Sequence, residues 1–148
     1  MSTPRIGELL VAAELLTSEQ LAQALTAQEG TGQRLGKILV GEGLVTEIQV
    51  TQVLSNQLSV AWVSLRHVEI GPELLSLIPV ELAREHTLLP VHFRKGKKGQ
   101  KILYVAMDDP TNIPAMQRVS ELANMNVRPL IAPPTEIAQA IEEVYGES

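Results

Sequence analysis

Residues 5–28 read RIGELLVAAELLTSEQLAQALTAQ, and residues 34–57 read RLGKILVGEGLVTEIQVTQVLSNQ. Sliding the first onto the second by 29 positions leaves ten identities in 24: Arg5/Arg34, Gly7/Gly36, Leu10/Leu39, Val11/Val40, Leu15/Leu44, Thr17/Thr46, Gln20/Gln49, Gln23/Gln52, Leu25/Leu54 and Gln28/Gln57. A duplication constrains the fold before any single residue does. Two copies are too few for a solenoid, and they suit two similar helical hairpins packed as a pseudo-symmetric pair.

Each copy carries its own punctuation. Thr3-Pro4 opens a short helix over about 5–13, since proline loses nothing at a first helical position. Glu14-Leu15-Leu16 turns the chain, and Thr17 with Gln20 three residues later is a capping-box pattern. A longer helix then covers about 18–29, and Glu29-Gly30-Thr31-Gly32 links the copies. The second copy repeats the plan: a short helix over about 34–41, a turn at Gly41-Glu42-Gly43, a capping box at Thr46 and Gln49, and a long helix over about 47–58.

Beyond residue 60 the pattern changes. Ala61 to Leu65 reads as an edge strand or extended crossing, and short helices start at Pro72 and Pro79. Period-two segments follow at 88–94 and 101–107, joined by a KGKKGQ hairpin turn. A helix over 112–123, with Ile113, Met116, Val119, Ser120 and Leu122 as its stripe, precedes a third strand over 126–132. Pro129 places that strand at an edge. A last helix opens at Pro134 and turns Ile137, Ile141, Val144 and Tyr145 inward. The expectation is an α+β chain: a helical tandem-motif subdomain at 1–60 and a small α/β subdomain at 61–148 with a three-stranded antiparallel sheet.

Composition limits the chemistry. With 148 residues and 45 % hydrophobic content a real core can form, built from aliphatic side chains because aromatics are 3 %. There is no cysteine, hence no disulfide framework and no thiolate zinc site. No apolar run reaches membrane-spanning length, and the N-terminus lacks the pattern of a signal peptide, so the expected compartment is the cytoplasm. A net charge of −5 argues against a general nucleic-acid binder. It leaves room for a small anion held by one or two arginines.

Catalysis finds little support. His67, His86 and His92 fall on separate elements without metal-ligand spacing, so neither a metal site nor a catalytic residue is assigned. Asp108-Asp109-Pro110 is read as a turn. No GxxxxGK[ST] phosphate loop occurs. Gly96-Lys97-Lys98-Gly99 is a basic hairpin whose charge also suits RNA or acidic lipid; it is read as a solvated turn that resists edge aggregation.

The repeat is where the unusual residues lie. Arg5 and Arg34 each stand at the start of a short helix, where the dipole disfavours a cation and where free backbone N–H groups suit an anion. Arginine can grip a phosphate in a fork or lie flat on a base. Gly7 and Gly36 allow close approach of a ligand or a neighbouring helix. Gln28 and Gln57 end apolar stripes with an amide that both donates and accepts. The same arginines and glutamines also suit a purely structural link between the two hairpins.

At these residues the chain resembles a known family, the N-terminal regulatory domain of type II secretion and type IV pilus assembly ATPases, of the MshEN and GspE N-terminal type. That module carries two tandem 24-residue motifs, approximately RLGxxLVxxGLLTxxQLxxALxxQ, with a five-residue spacer, here Glu29 to Gln33. The region from about 60 to 145 is similar to the α/β part of the same module. The resemblance implies a regulatory module that binds cyclic di-GMP, with no other cofactor. It assigns phosphate or guanine contacts to Arg5 and Arg34, and backbone approach to Gly7 and Gly36. Leu10, Val11, Leu15, Leu39, Val40 and Leu44 become apolar contacts; Leu25 and Leu54 support the fold or touch the ligand, and Gln28 and Gln57 contact bases. It implies partners among secretion or pilus assembly proteins at the cytoplasmic face of the inner membrane, without a transmembrane segment of its own. The alternative within the same family is a protein-docking module that links the ATPase to those components without nucleotide. Either a fragment of an ATPase or a free-standing module fits the missing phosphate loop. One departure stands out: the motif's turn glycine is Gly43 in the second copy and Glu14 in the first, which casts the first half-site as reshaped or weakened.

Overall fold

The computed structural model describes residues 6–32, 35–66 and 69–145, and the chain divides into two compact units, Met1–Ser59 and Val60–Ser148. Arg5, Arg34 and His67 lie outside the described residues.

The first unit holds four helices: α1 (Ile6–Ala12), α2 (Ser18–Thr31), α3 (Leu35–Gly41) and α4 (Glu47–Leu58). Both capping boxes form. The Thr17 N–H donates to Gln20 Oε1 at 2.9 Å while Gln20 N–H donates to Thr17 Oγ1 at 3.1 Å. Thr46 and Gln49 exchange the same two bonds at 2.9 and 3.1 Å. Each box satisfies backbone donors that an uncapped helix leaves orphaned. The short helices pack on each other and on both long ones. Leu10, Leu39 and Leu54 are fully buried in this unit, and so is Ala24 of α2.

The second unit contains α5 (Pro72–Leu75), α6 (Val80–His86), β1 (Leu88–Lys95), β2 (Lys101–Met107), α7 (Ile113–Ala123), β3 (Asn126–Ile131) and α8 (Pro134–Tyr145). The strands form one sheet in the order β1-β2-β3. β1 and β2 are an antiparallel hairpin, closed by a turn in which Lys98 and Gly99 take φ of 62° and 76°. β3 runs parallel to β2, so the sheet is mixed and not the antiparallel sheet expected from sequence. The cause is α7: a helix between two strands returns the chain to the start of the sheet, and a β-α-β crossover makes the strands parallel. Pro129 does sit on an outer strand. Beyond it the segment at Ala61–Leu65 contributes only an isolated bridge, Trp62 to Ile131.

Consecutive burial of Val105, Ala106 and Met107 means that both faces of β2 are covered at that end. α7 is rotated from the expected stripe. Ala115, Val119 and Ala123 are buried, while Ile113 and Leu122 are exposed. Two alanines one helical turn on either side of a valine make a flat face that can lie close to the sheet. α8 buries Ile137, Ala140 and Ile141 and is clasped to α6 by a forked pair, Arg84 Nε to Glu142 Oε2 at 3.0 Å and Nη2 to Oε1 at 3.1 Å. At the Asp109 turn the carboxylate accepts from the Thr111 N–H at 2.9 Å, as a turn residue does.

Candidate functional site

The two copies meet at their heads. A Cβ built on Gly7 of α1 would lie 3.1 Å from Leu35 Cδ2 of α3, and one on Gly36 of α3 would lie 3.8 Å from Ile6 Cδ1 of α1. Leu35 and Ile6 occupy equivalent positions in the repeat, so each copy's glycine faces the other copy's first helical residue. That reciprocity is the mark of a two-fold relation. The duplicated glycines, and the helical turns that follow Arg5 and Arg34, are thereby brought side by side.

The glycines are not equivalent in detail. The same Cβ on Gly7 would fall 2.5 Å from Leu21 Cδ1 of α2, so Gly7 is needed for the packing of its own hairpin. Gly36 has ordinary room and is only half-buried. Gly36 therefore has free space for a ligand to approach, whereas the space at Gly7 is already occupied by protein.

The duplicated LV…L positions have a structural task. Leu15 N–H donates to Leu10 O at 3.1 Å and Glu14 N–H to Val11 O at 3.0 Å. In the second copy Leu44 N–H donates to Leu39 O at 3.0 Å and Gly43 N–H to Val40 O at 3.0 Å. These paired bonds are a Schellman motif, which ends a helix on a left-handed residue and aligns apolar side chains across the turn. Glu14 and Gly43 are that left-handed residue. Leu10 and Leu39 are fully buried within the unit; Val11, Leu15, Val40 and Leu44 are half-buried and keep some surface.

The remaining positions separate the copies. Leu54 is fully buried, whereas Leu25, its counterpart, is 40 % exposed. Gln28 is half-buried on α2 and Gln57 exposed on α4. Charge also differs. Exposed Lys37 on α3 stands where the first copy has exposed Glu8 on α1. From residue 1 to 59 the cations are Arg5, Arg34 and Lys37, against Glu8, Glu14, Glu19, Glu29, Glu42 and Glu47. The unit's own charge is thus three cations against six carboxylates, a surround that works against a bound anion. Lys37 falls at a variable position of the motif, and only aligning the copies exposes the Glu8/Lys37 reversal. Among the described residues no group of three or more His, Cys, Asp or Glu could hold a metal ion.

The MshEN domain family matches residues 58–148. The chain belongs to the MshEN family. The matched stretch is the α/β unit, and the duplicated motifs precede it. This MshEN chain is 36 % identical over 143 residues to the type IV pilus assembly ATPase PilB of Myxococcus xanthus, covering 97 % of this chain and 24 % of that protein. It is 29 % identical over 143 residues to the type IV pilus assembly ATPase PilB of Thermus thermophilus, covering 97 % of this chain and 16 % of that protein. It thus spans a quarter or less of those ATPases. Among solved structures it is similar to MshE with cdg, with a TM-score of 0.73 and 28 % identity over 95 % of this chain and 99 % of that one. The N-terminal domain of XpsE shares the fold, with a TM-score of 0.74 at 22 % identity over 96 % of this chain and 97 % of that one. No helix among the described residues is long and apolar enough to cross a membrane.

Proposed function

We propose that this MshEN chain is a cyclic di-GMP-binding regulatory module of a type IV pilus or type II secretion system. The observation that carries the reading is the likeness to MshE with cdg, which extends over 95 % of the chain and so takes in both copies of the repeat. In this reading Arg5 and Arg34 take the phosphates or guanines, and the half-buried Val11, Leu15, Val40 and Leu44 offer apolar surface. Gln28 and Gln57 meet base edges. Leu10, Leu39 and Leu54 act from the core by holding the helices that carry those groups. Leu25 keeps enough exposure to touch a ligand. The second copy is the stronger half: it has Lys37 beside Gly36 in sequence, open space at Gly36, and an unstrained turn at Gly43.

Binding is tested by calorimetry with cyclic di-GMP. The expected result is one ligand per chain, with Arg34→Ala weakening it at least about tenfold, as loss of a charge-assisted contact does. No heat at high micromolar ligand overturns the reading.

A second reading is supported by Glu14, which places a carboxylate where the motif has glycine in the first half-site. There the module docks the ATPase onto inner-membrane pilus or secretion proteins without nucleotide. Both readings place it in the cytoplasm and give it no catalytic step of its own.

A further inference from the structure

The acidic chain has a basic pole. Arg94, Lys95, Lys97, Lys98 and Lys101 supply five of its twelve Lys and Arg, and no Asp or Glu occurs between Glu85 and Asp108. The sheet register adds a row to it. His92 pairs with Tyr104, and Tyr104 pairs with Arg128, so all three project from one face. The other end of that face is covered, with the paired Leu89 and Ala106 buried, while His92 and Arg128 are exposed and Tyr104 is half-buried. The Tyr104 ring lies 5.7 Å from the His92 ring, and the Arg94 guanidinium carbon stands 5.9 Å from its centroid. Two ion pairs of this unit, Arg84 with Glu142 and His86 with Glu85, lie away from this face.

We infer that this face, Arg94 and Arg128 flanking Tyr104, docks an acidic segment of a protein partner. The inference stands apart from nucleotide binding by the repeat. Charge complementarity selects an acidic occupant, and its class follows from three features. Tyrosine and arginine together are the residue types that anchor protein interfaces. The face carries two rings, and His92 and Tyr104 lie against each other at a tilt of 37°, which gives no succession of stacking sites for a nucleic-acid strand; the net charge of −5 opposes a long polyanion. The hairpin tip, KGKKGQ, has no bulky apolar side chain to enter a bilayer. An extended segment with a carboxylate at every second residue presents all of its charge to one side, which matches a pleated face.

The test follows amide shifts of the full chain during titration with a peptide alternating glutamate and valine over about six residues, a usual strand length. Expected shifts centre on Arg94, Tyr104 and Arg128 and vanish as ionic strength rises from about 0.01 to about 1 M. The exposed double variant Arg94→Glu/Arg128→Glu should lose at least about tenfold in affinity, while Arg118→Glu on α7 keeps it. Unchanged melting temperatures show that the variants fold. Absence of shifts overturns the proposal, as does equal loss in Arg118→Glu. Stronger binding to an oligothymidylate of similar length, or to phosphatidylcholine–phosphatidylglycerol vesicles, also overturns it in favour of a nucleic acid or a membrane.

Discussion

Glu14 and Gly43 close equivalent helices with the same left-handed turn, at φ of 65° and 75°. An L side chain in that region crowds its own backbone at a cost of about 1 kcal/mol or more, which glycine escapes. The first copy of the repeat therefore holds strain that the second does not. Glu14→Gly is expected to raise stability by about 0.5–1 kcal/mol, read as a higher urea midpoint at unchanged slope. Gly43→Ala should lower it by a similar amount. If ligand affinity rises along with stability in Glu14→Gly, the carboxylate also opposes the bound anion; if only stability rises, the turn is its whole effect.

The two capping boxes are geometrically alike, yet they hold unlike helices. α4 buries Val50, Thr51, Val53 and Leu54, whereas α2 buries Ala24. Loss of either cap hydroxyl costs about 1 kcal/mol of local helix stability. Thr46→Ala should transmit that cost to the global unfolding transition. Thr17→Ala should appear mainly as faster amide exchange in the first turn of α2, because fraying there exposes little buried surface.

Gly7 and Gly36 separate packing from ligand approach. Gly36→Ala adds a Cβ whose nearest neighbour stands at 3.8 Å, so helix propensity decides and stability should rise by up to about 1 kcal/mol. Gly7→Ala drives its Cβ toward Leu21 Cδ1, only 2.5 Å away, and should cost about 1 kcal/mol by forcing Leu21 from its rotamer. Truncating Leu21 in the same chain should recover part of that cost, which a double-mutant cycle measures. Gly36→Ala that folds well and no longer binds cyclic di-GMP would locate the ligand at α3.

Much of this architecture is legible because its signals are local. Thr17/Gln20 and Thr46/Gln49 announce helix starts by hydrogen bonds that span three residues, and the alternation at 101–107 announces a strand whatever lies beside it. The direction of β3 is not local, since 126–131 reads the same parallel or antiparallel. Only the crossover through α7 decides it. The burial stripe of α7 departs from its sequence pattern for a related reason: Ile113 and Leu122 are the more apolar residues, but the small Ala115 and Ala123 fit the close approach of the sheet. In the repeat, duplication marks Leu10, Val11 and Leu15 without saying why. The Schellman bonds supply a structural reason, so identity between copies alone does not make a residue a ligand contact.

Tyr145 at the end of α8 gives the fold an alkaline limit. Its hydroxyl donates to Ile78 O at 3.0 Å, and burial pushes its pKa from 10.0 up to about 12. Between those values the unfolded chain releases this proton while the folded chain keeps it, so stability falls as pH rises from about 10 to about 12. The side chain is only half-buried, and solvent screening reduces the loss to roughly 1 kcal/mol. Tyr145→Phe removes both the bond and the titration. It should cost about 1 kcal/mol at neutral pH, and its urea midpoint should decline less steeply than wild type above pH 10. Parallel alkaline slopes in the two proteins would show that Tyr145 ionises as freely folded as unfolded.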